Sequence, residues 1–532
     1  MRILRPQLRP SLDYFNEACD HEFESLVTQA CAVDSAWKSG EVWIKREEML
    51  RTQFKVVELK FVPGGKFLVA SVRDRMGYRS FIMVYAIDLI QGTRAIARME
   101  TSYQCYDLDA KYMEHEGEPG IMIYFTRRHW MKPTNLDDPG VRHLILQKHT
   151  MIYKEQDIVI AREKDAYIQR AMMYQRPFRN VMLLRGKAEI SMPTLFEWKG
   201  NPHLAFFVSP LEIKLLCLNG PYRATITPAH DNSFLHSQQR IRAIRPIPSQ
   251  DQILVIRTFA THPQEEFVHR FELYDIPAEG GDHAPVHPAA QSPPNHLADY
   301  RIDKFTISDA PDPTKKMHPS HPQPLHHELC PSTIWISSSN ISPPGVCMWA
   351  IRPLLQPQIL NEPPTYRYGF TLLNDRPCSI HCAYPDPKTG TGVALPGSER
   401  SLVYNFIPSY TESMIVQRIK RFWYDPELFE EGYHEADKGD SGPSISEVPH
   451  HSYKKFQDVL STRPIIPRMN QKGGAVSIAF DEGSGKIAIG VSNENEIQLY
   501  DTGTAVPHKQ KLIYEINEAL KHPIYKDKLK NI

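Results

Sequence analysis

The 532-residue sequence is poor in cysteine, carries no excess of either charge and has no long apolar run. Its eight cysteines (Cys19, Cys31, Cys105, Cys217, Cys330, Cys347, Cys378 and Cys382) are too dilute for a disulfide scaffold. Most sit in apolar, strand-like text, where a free thiol behaves as a small hydrophobe, so the usage points to a reducing compartment, cytosol or nucleus. Lys+Arg and Asp+Glu both total 62, which excludes a global field drawing the chain to nucleic acid or an anionic membrane. No stretch approaches the roughly 18 apolar residues of a membrane helix, and the first twenty residues hold no signal-peptide core. A membrane partner is therefore not expected.

What is abundant is proline. Forty-four prolines exceed the usual share of about 5% and crowd into particular stretches. Proline removes a backbone donor and breaks helices, so the chain reads as strands joined by long loops.

One segment departs from that pattern. Phe15, Cys19, Phe23, Leu26, Ala30, Val33 and Trp37 recur at intervals of three and four, an apolar stripe along a helix spanning 11–39. Ser11 or Asp13 can cap its start, and Gly40 can stop it. Such a stripe serves either to pack the helix on its own domain or to bind a partner.

Beyond residue 50 the period becomes that of strands. Val57–Phe61, a turn with Gly64 and Gly65, and Phe67–Ala70 return near the end as Val476–Phe480, a turn with Gly483 and Gly485, and Ile487–Gly490. The later copy reads as one turn residue longer. A third strand closes each copy, ending Tyr85 to Asp88 and Tyr500-Asp501, and a middle copy ends Tyr274-Asp275. Partial copies occur at 203–218, 252–259 and 333–351. Strand triplets every 40–60 residues suggest an all-β, irregular β-propeller of six to eight blades, seven favoured. A pair of β-sandwiches is the alternative, but a ring explains why the first and last copies match. The expected organisation is a helical leader over 1–40, a propeller over 41–520 and a tail over 521–532. Disordered insertions are expected at about 278–330, where strand text is confined to Tyr300–Ser308, and at about 431–462, with a Pro/Gly loop at 385–399.

Several short motifs hint at chemistry. Gly439 to Pro443 (GDSGP) has the look of a serine-protease nucleophile loop, yet its surroundings are polar and no oriented base accompanies it. Gly483 to Lys486 (GSGK) lacks the spacing of a phosphate loop and reads as a hairpin turn. His318, His321, His326, His327 and Cys330 could offer metal ligands, but five prolines between 311 and 324 argue against a prearranged site. Cys378 and Cys382 read as strand residues. The basic-aromatic stretches 127–130 and 418–423 could touch nucleic acid and read better as solvated strand edges. No catalytic, cofactor or metal residue is assigned.

Three segments resemble the mushroom-type fungal F-box-associated proteins with degenerate WD-repeat-like propellers. Thr28–Gly40 looks like the helix between F-box and propeller. Lys60–Arg75 is similar to that family's first-blade Phe-x-Pro-Gly-Gly segment, and Val476–Val491 to its last-blade segment. The resemblance implies a non-catalytic interaction scaffold, with a protein partner on the propeller's loop face, acting as a substrate receptor of a Skp–cullin–F-box ubiquitin ligase. The family opens with an F-box of about 40–50 residues, whereas this chain enters the linking helix by about residue 12. The F-box is therefore expected to be missing, and capture of a Skp adaptor is not expected. The competing readings are an enzyme working in the central channel, for which no inward carboxylates or histidines could be assigned, and a nucleic-acid or ribonucleoprotein component.

Overall fold

A computed structural model describes residues 28, 30–37, 44, 46–87, 92–101, 103–128, 142–149, 178–185, 190–208, 211–231, 238–260, 267–278, 285–292, 295–296, 301–309, 331–342, 345–351, 353–356, 365–370, 391–397, 400–409, 413–423, 457–458 and 465–502. Within them the chain is a β-propeller with seven distinguishable blades. Blade 1 comprises Lys55–Phe61, Phe67–Arg73, Ser80–Ala86 and Arg94–Thr101. Blade 2 comprises Cys105–His115, Glu118–Arg128, Arg142–His149 and Phe178–Arg185. Blade 3 runs from Ile190–Trp198 to Arg223–Pro228, and blade 4 from Gln238–Ile247 to Phe267–Asp275 with short outer pieces at Ala290–Gln291 and Asn295–His296. Blade 5 holds Arg301–Ile307, Ile334–Ser342 and Gly345–Ile351. Blade 6 holds Thr391–Pro396, Arg400–Pro408 and Met414–Trp423, edged by Gln457–Asp458.

Blade 7 is built from both ends of the chain. Ala475–Asp481, Lys486–Val491 and Glu496–Asp501 supply three strands, and Arg46–Arg51 adds the fourth, antiparallel to Glu496–Asp501. Blade 1 follows at once, so the first and last blades are neighbours.

The strand text follows its place in the ring. Second strands lie between two neighbouring blades and are the most deeply buried: in Lys486–Val491 every residue is buried. Inner strands turn one face to the channel and alternate, as in Lys55–Phe61. Apolar clusters fill the seams. Val56, Leu59, Phe61 and Leu68 of blade 1 meet Ala479, Ala488, Ile497 and Leu499 of blade 7. Leu402, Tyr404, Val416 and Ile419 of blade 6 meet Ile478, Ile487 and Ile489 of blade 7. A helix at Ile465–Gln471 inserts Ile465, Ile466 and Met469 into that second cluster. Its Asn470 donates to the Val416 carbonyl at 2.7 Å and accepts from the Val416 amide at 3.1 Å, as a strand backbone would.

One expectation changes. The matching hairpins of blades 1 and 7 have equal length, because Phe61 pairs with Leu68 and Phe480 with Ile487. The extra residue inferred from the glycines reflects where positive φ is used, at Gly64 and Gly65 in one turn and at Gly485 in the other. Within 278–330 the described stretches are 285–292, 295–296 and 301–309, the last holding the strand Arg301–Ile307 where the sequence shows strand text. Pro285-Val286 runs parallel to Thr227-Pro228, and Ala290-Gln291 pairs with Leu273 and Glu272. This edge pairing uses backbone groups, which an apolar-pattern reading does not register. Of the leader, residues 30–37 are helical, with residue 28 also helical; Phe15 and Leu26 lie outside the described residues, as does nearly all of 431–462 and the whole of 521–532.

Candidate functional site

The sequence-repeat residues occupy one row across each blade. Phe61, Leu68 and Tyr85 align in blade 1, Pro246, Ile253 and Tyr274 in blade 4, and Phe480, Ile487 and Tyr500 in blade 7. Each tyrosine is buried and donates its hydroxyl to the residue two positions earlier on the same strand face. Tyr85 donates to Met83 Sδ at 3.3 Å, Tyr274 to Glu272 Oε2 at 2.7 Å and Tyr500 to Gln498 Oε1 at 2.7 Å. Burial pushes all three phenols up, so they stay protonated donors. The acids after the tyrosines diverge: Asp275 is exposed and accepts from Gln252 at 2.8 Å, Asp501 is buried, and Asp88 lies outside the described residues. In blade 1 the register puts Ala86 at the equivalent place. These residues line up as the frame of their blades.

Val33, Trp37 and Ala30 of the leader helix are buried against that frame. Trp37 donates from Nε1 to Thr502 Oγ1 at 3.3 Å and lies 5.4 Å from the half-buried Phe480 ring. Asp34 accepts from the buried Arg400 guanidinium at 2.8 Å, and Arg400 also donates to the Glu482 carbonyl at 3.3 Å. The helix thus covers the turns that join first and second strands in blades 6 and 7.

The channel is lined by charges that the sequence reading did not assign. β-Bulges interrupt the inner strands at Val56/Glu58 in blade 1 and Tyr106/Asp109 in blade 2, re-aiming side chains beside them. Lys60 pairs with Asp109 at 3.0 Å. Asp309 of blade 5 takes Lys111 of blade 2 at 3.0 Å and Arg245 of blade 4 at 2.8 Å. Blades 2 and 5 are not ring neighbours, so this ion pair crosses the channel. Burial works against ionisation of Asp109, but Lys60 and Lys111 outweigh it and hold the carboxyl below its ordinary range. Glu58 has no such advantage. Enclosure by the inner strands and the nearby Asp107 push it up to about 7, against weaker pulls from the Leu108 amide, Lys304 and Lys60. Among the described residues, no group of three His, Cys, Asp or Glu side chains is placed to hold a metal ion.

The opposite face carries the turns between second and third strands. In blade 1 that turn is Asp74–Arg79. Asp74 accepts the Gly77 amide on its carbonyl at 3.1 Å and the Tyr78 amide on Oδ1 at 2.8 Å. Gly77 takes φ +76°, which an L-residue rarely adopts. This pinned turn holds out Met76, 73% exposed, and Tyr78, 80% exposed. Arg79 locks the hairpin base with a two-pronged bond to Glu100 at 2.8 and 2.7 Å. Two large apolar residues at a turn glycine were the signal available in the sequence, since turns are ordinarily polar.

The remaining motifs divide. Gly483 to Lys486 is a hairpin turn: the Ser484 amide and hydroxyl both donate to Asp481 Oδ2, at 2.8 and 2.6 Å. Gly439 to Pro443, His318 to Cys330, and Cys378 with Cys382 lie outside the described residues. Arg418 is exposed on a strand of blade 6. Among the described residues, no helix is long and apolar enough to cross a membrane.

No family model and no curated protein matches the chain. Solved structures do. The WD40 domain of SCAP from fission yeast is similar over 86% of this chain and 98% of that one, at 8% identity and a TM-score of 0.41. Chaetomium thermophilum Raptor is similar over 87% of this chain and 29% of that one, again at 8% identity and 0.41. Kuenenia stuttgartiensis hydrazine synthase is similar over 86% and 98%, with the same identity and score. The likeness is one of fold alone.

Proposed function

We propose that the chain is a non-catalytic scaffold, working in cytosol or nucleus, that binds a protein partner on the face carrying the second-to-third-strand turns. The observation that carries this reading is the blade 1 turn, where Met76 and Tyr78 are held out by Asp74 and Gly77. Tyrosine, methionine and arginine are the side chains enriched where proteins bind one another. The helix-bearing face and the channel are engaged within the fold: the leader helix packs on blades 6 and 7, and ion pairs cross the channel.

The finer role is that of a substrate receptor in a Skp–cullin–F-box ubiquitin ligase. Its support is the similarity of Thr28–Gly40, Lys60–Arg75 and Val476–Val491 to fungal F-box-associated proteins. Val33 and Trp37 are spent on the propeller, so an adaptor would have to engage other residues. Co-expression of the full chain with a Skp adaptor tests this role: a one-to-one complex supports it, and separate elution removes it.

The scaffold reading is tested by photo-cross-linking in the cells that make the protein. A benzophenone side chain at position 78 should give discrete protein adducts, and one at exposed Asn219, in a turn on the helix-bearing face, should give none. Adducts at 219 alone, or none at position 78 or at any other second-to-third-strand turn, would contradict it.

A further inference from the structure

The charges around the blade 1 turn do not balance. Lys55, Arg73, Arg75, Arg79 and Arg98 stand against Asp74 and Glu100, five cations to two anions in a chain whose formal net charge is zero. The fold gathers them. Lys55 and Arg73 are cross-strand partners, and Arg79 and Arg98 both lie over the Phe81 ring, 5.3 and 5.5 Å from its centroid. Both anions are engaged within blade 1: Glu100 on the fourth strand holds the Arg79 fork, and Asp74 accepts the Tyr78 amide. The positive excess therefore faces outward beside Met76 and Tyr78, with Arg75 exposed between them and the strand.

We infer that this hairpin recognises an acidic segment of a partner protein that also carries apolar side chains, the apolar groups meeting Met76 and Tyr78 and the carboxylates meeting the arginine rim. The inference rests on the scaffold reading and names its partner class. A nucleic acid fits less well. Its phosphates need a continuous basic track, whereas this patch is one hairpin wide with Asp74 and Glu100 set into it.

The test is selection of random 12-residue peptides displayed on phage against the full chain. Enriched peptides are then measured by fluorescence anisotropy against wild type, Tyr78→Ser and Arg75→Glu, with a mixed-sequence 20-nucleotide RNA as a second probe. Both substituted side chains are exposed, so melting temperatures should match wild type. The expected result is enrichment of Asp and Glu interspersed with Leu or Phe, with affinity falling about tenfold or more in each variant and with added salt. Peptides without acidic bias, or affinities that neither substitution changes, would overturn the inference. RNA binding lost in Tyr78→Ser, with no peptide binding, would overturn it in favour of nucleic acid. Protein adducts from other positions on the same face, with none at position 78, would leave the scaffold reading standing and remove this assignment.

Discussion

Lys486 in blade 7 donates from its ammonium to the carbonyl oxygen of Gly65 in blade 1, 3.1 Å away. The two residues belong to matching hairpins at opposite ends of the sequence, and this bond lies on the seam where the ring closes. Alongside it the Gly64 amide donates to Asp481 Oδ1 at 3.0 Å and the Leu59 amide to Ser477 Oγ at 3.1 Å. Closure thus joins polar turn contacts to the apolar seam.

Gly65 has no room for a side chain. Its φ is +66°, and a Cβ there would stand 2.1 Å from Ser484 Oγ. Gly65→Ala should destabilise the protein by about 1–3 kcal/mol from backbone strain and overpacking. Gly117, also at positive φ but with nothing near its Cβ position, should cost about 1 kcal/mol or less on the same change. Urea titration of the two variants gives the order.

Removing the aromatic contact of the leader helix should loosen one part of the ring. Trp37→Ala should cost on the order of 3–5 kcal/mol. Phe480→Ala should cost less than Phe61→Ala. The two phenylalanines share a row, but Phe61 is 3% exposed while Phe480 is half-buried beneath Trp37. Hydrogen exchange in Trp37→Ala should speed up first at 30–37 and 486–502.

Arg400 and Asp34 form an ion pair in which the guanidinium is 1% exposed. Asp34→Ala leaves that charge without its carboxylate and should cost several kcal/mol, on the order of 3. Arg400→Met in the same chain should restore part of the loss. A double-mutant cycle should yield a coupling of about 1–3 kcal/mol.

Glu58 makes stability depend on pH. Its carboxyl rises from 4.5 to about 7 on folding, so the folded state holds a proton that the unfolded state has released between those values. Stability contributed by the neutral form is present below pH 4.5 and is lost as pH rises through about 7. Glu58→Gln should therefore stabilise the protein at pH 8 by roughly 1–3 kcal/mol and change little at pH 4. Equal effects at both pH values would show that Glu58 ionises freely in the channel.

The blade rows were legible because local rules repeat: apolar alternation, a glycine turn, then a tyrosine ending the third strand. Phe61 with Tyr85 and Phe480 with Tyr500 could be matched by eye. The channel charges could not, because Lys111 and Asp309 are 198 residues apart and meet only when the ring forms. The Asp34–Arg400 pair, 366 residues apart, was hidden for the same reason. Residues 285–292 were hidden differently, since their pairing runs through backbone groups and leaves no apolar signature. The Met76–Tyr78 turn was legible in principle, but two apolar residues in a polar turn stand out only once their exposure is known.

The helix-bearing face carries stability and the opposite face is proposed to bind the partner, a division that a single comparison tests. Melting temperature and partner capture are measured on the full chain as wild type, Trp37→Ala and Tyr78→Ser, each purified from the cells that make it. Trp37→Ala should melt lower yet retain its partner below its melting point, while Tyr78→Ser should melt as wild type and lose the partner. Capture that survives Tyr78→Ser but fails in folded Trp37→Ala would place binding on the helix face and contradict the account.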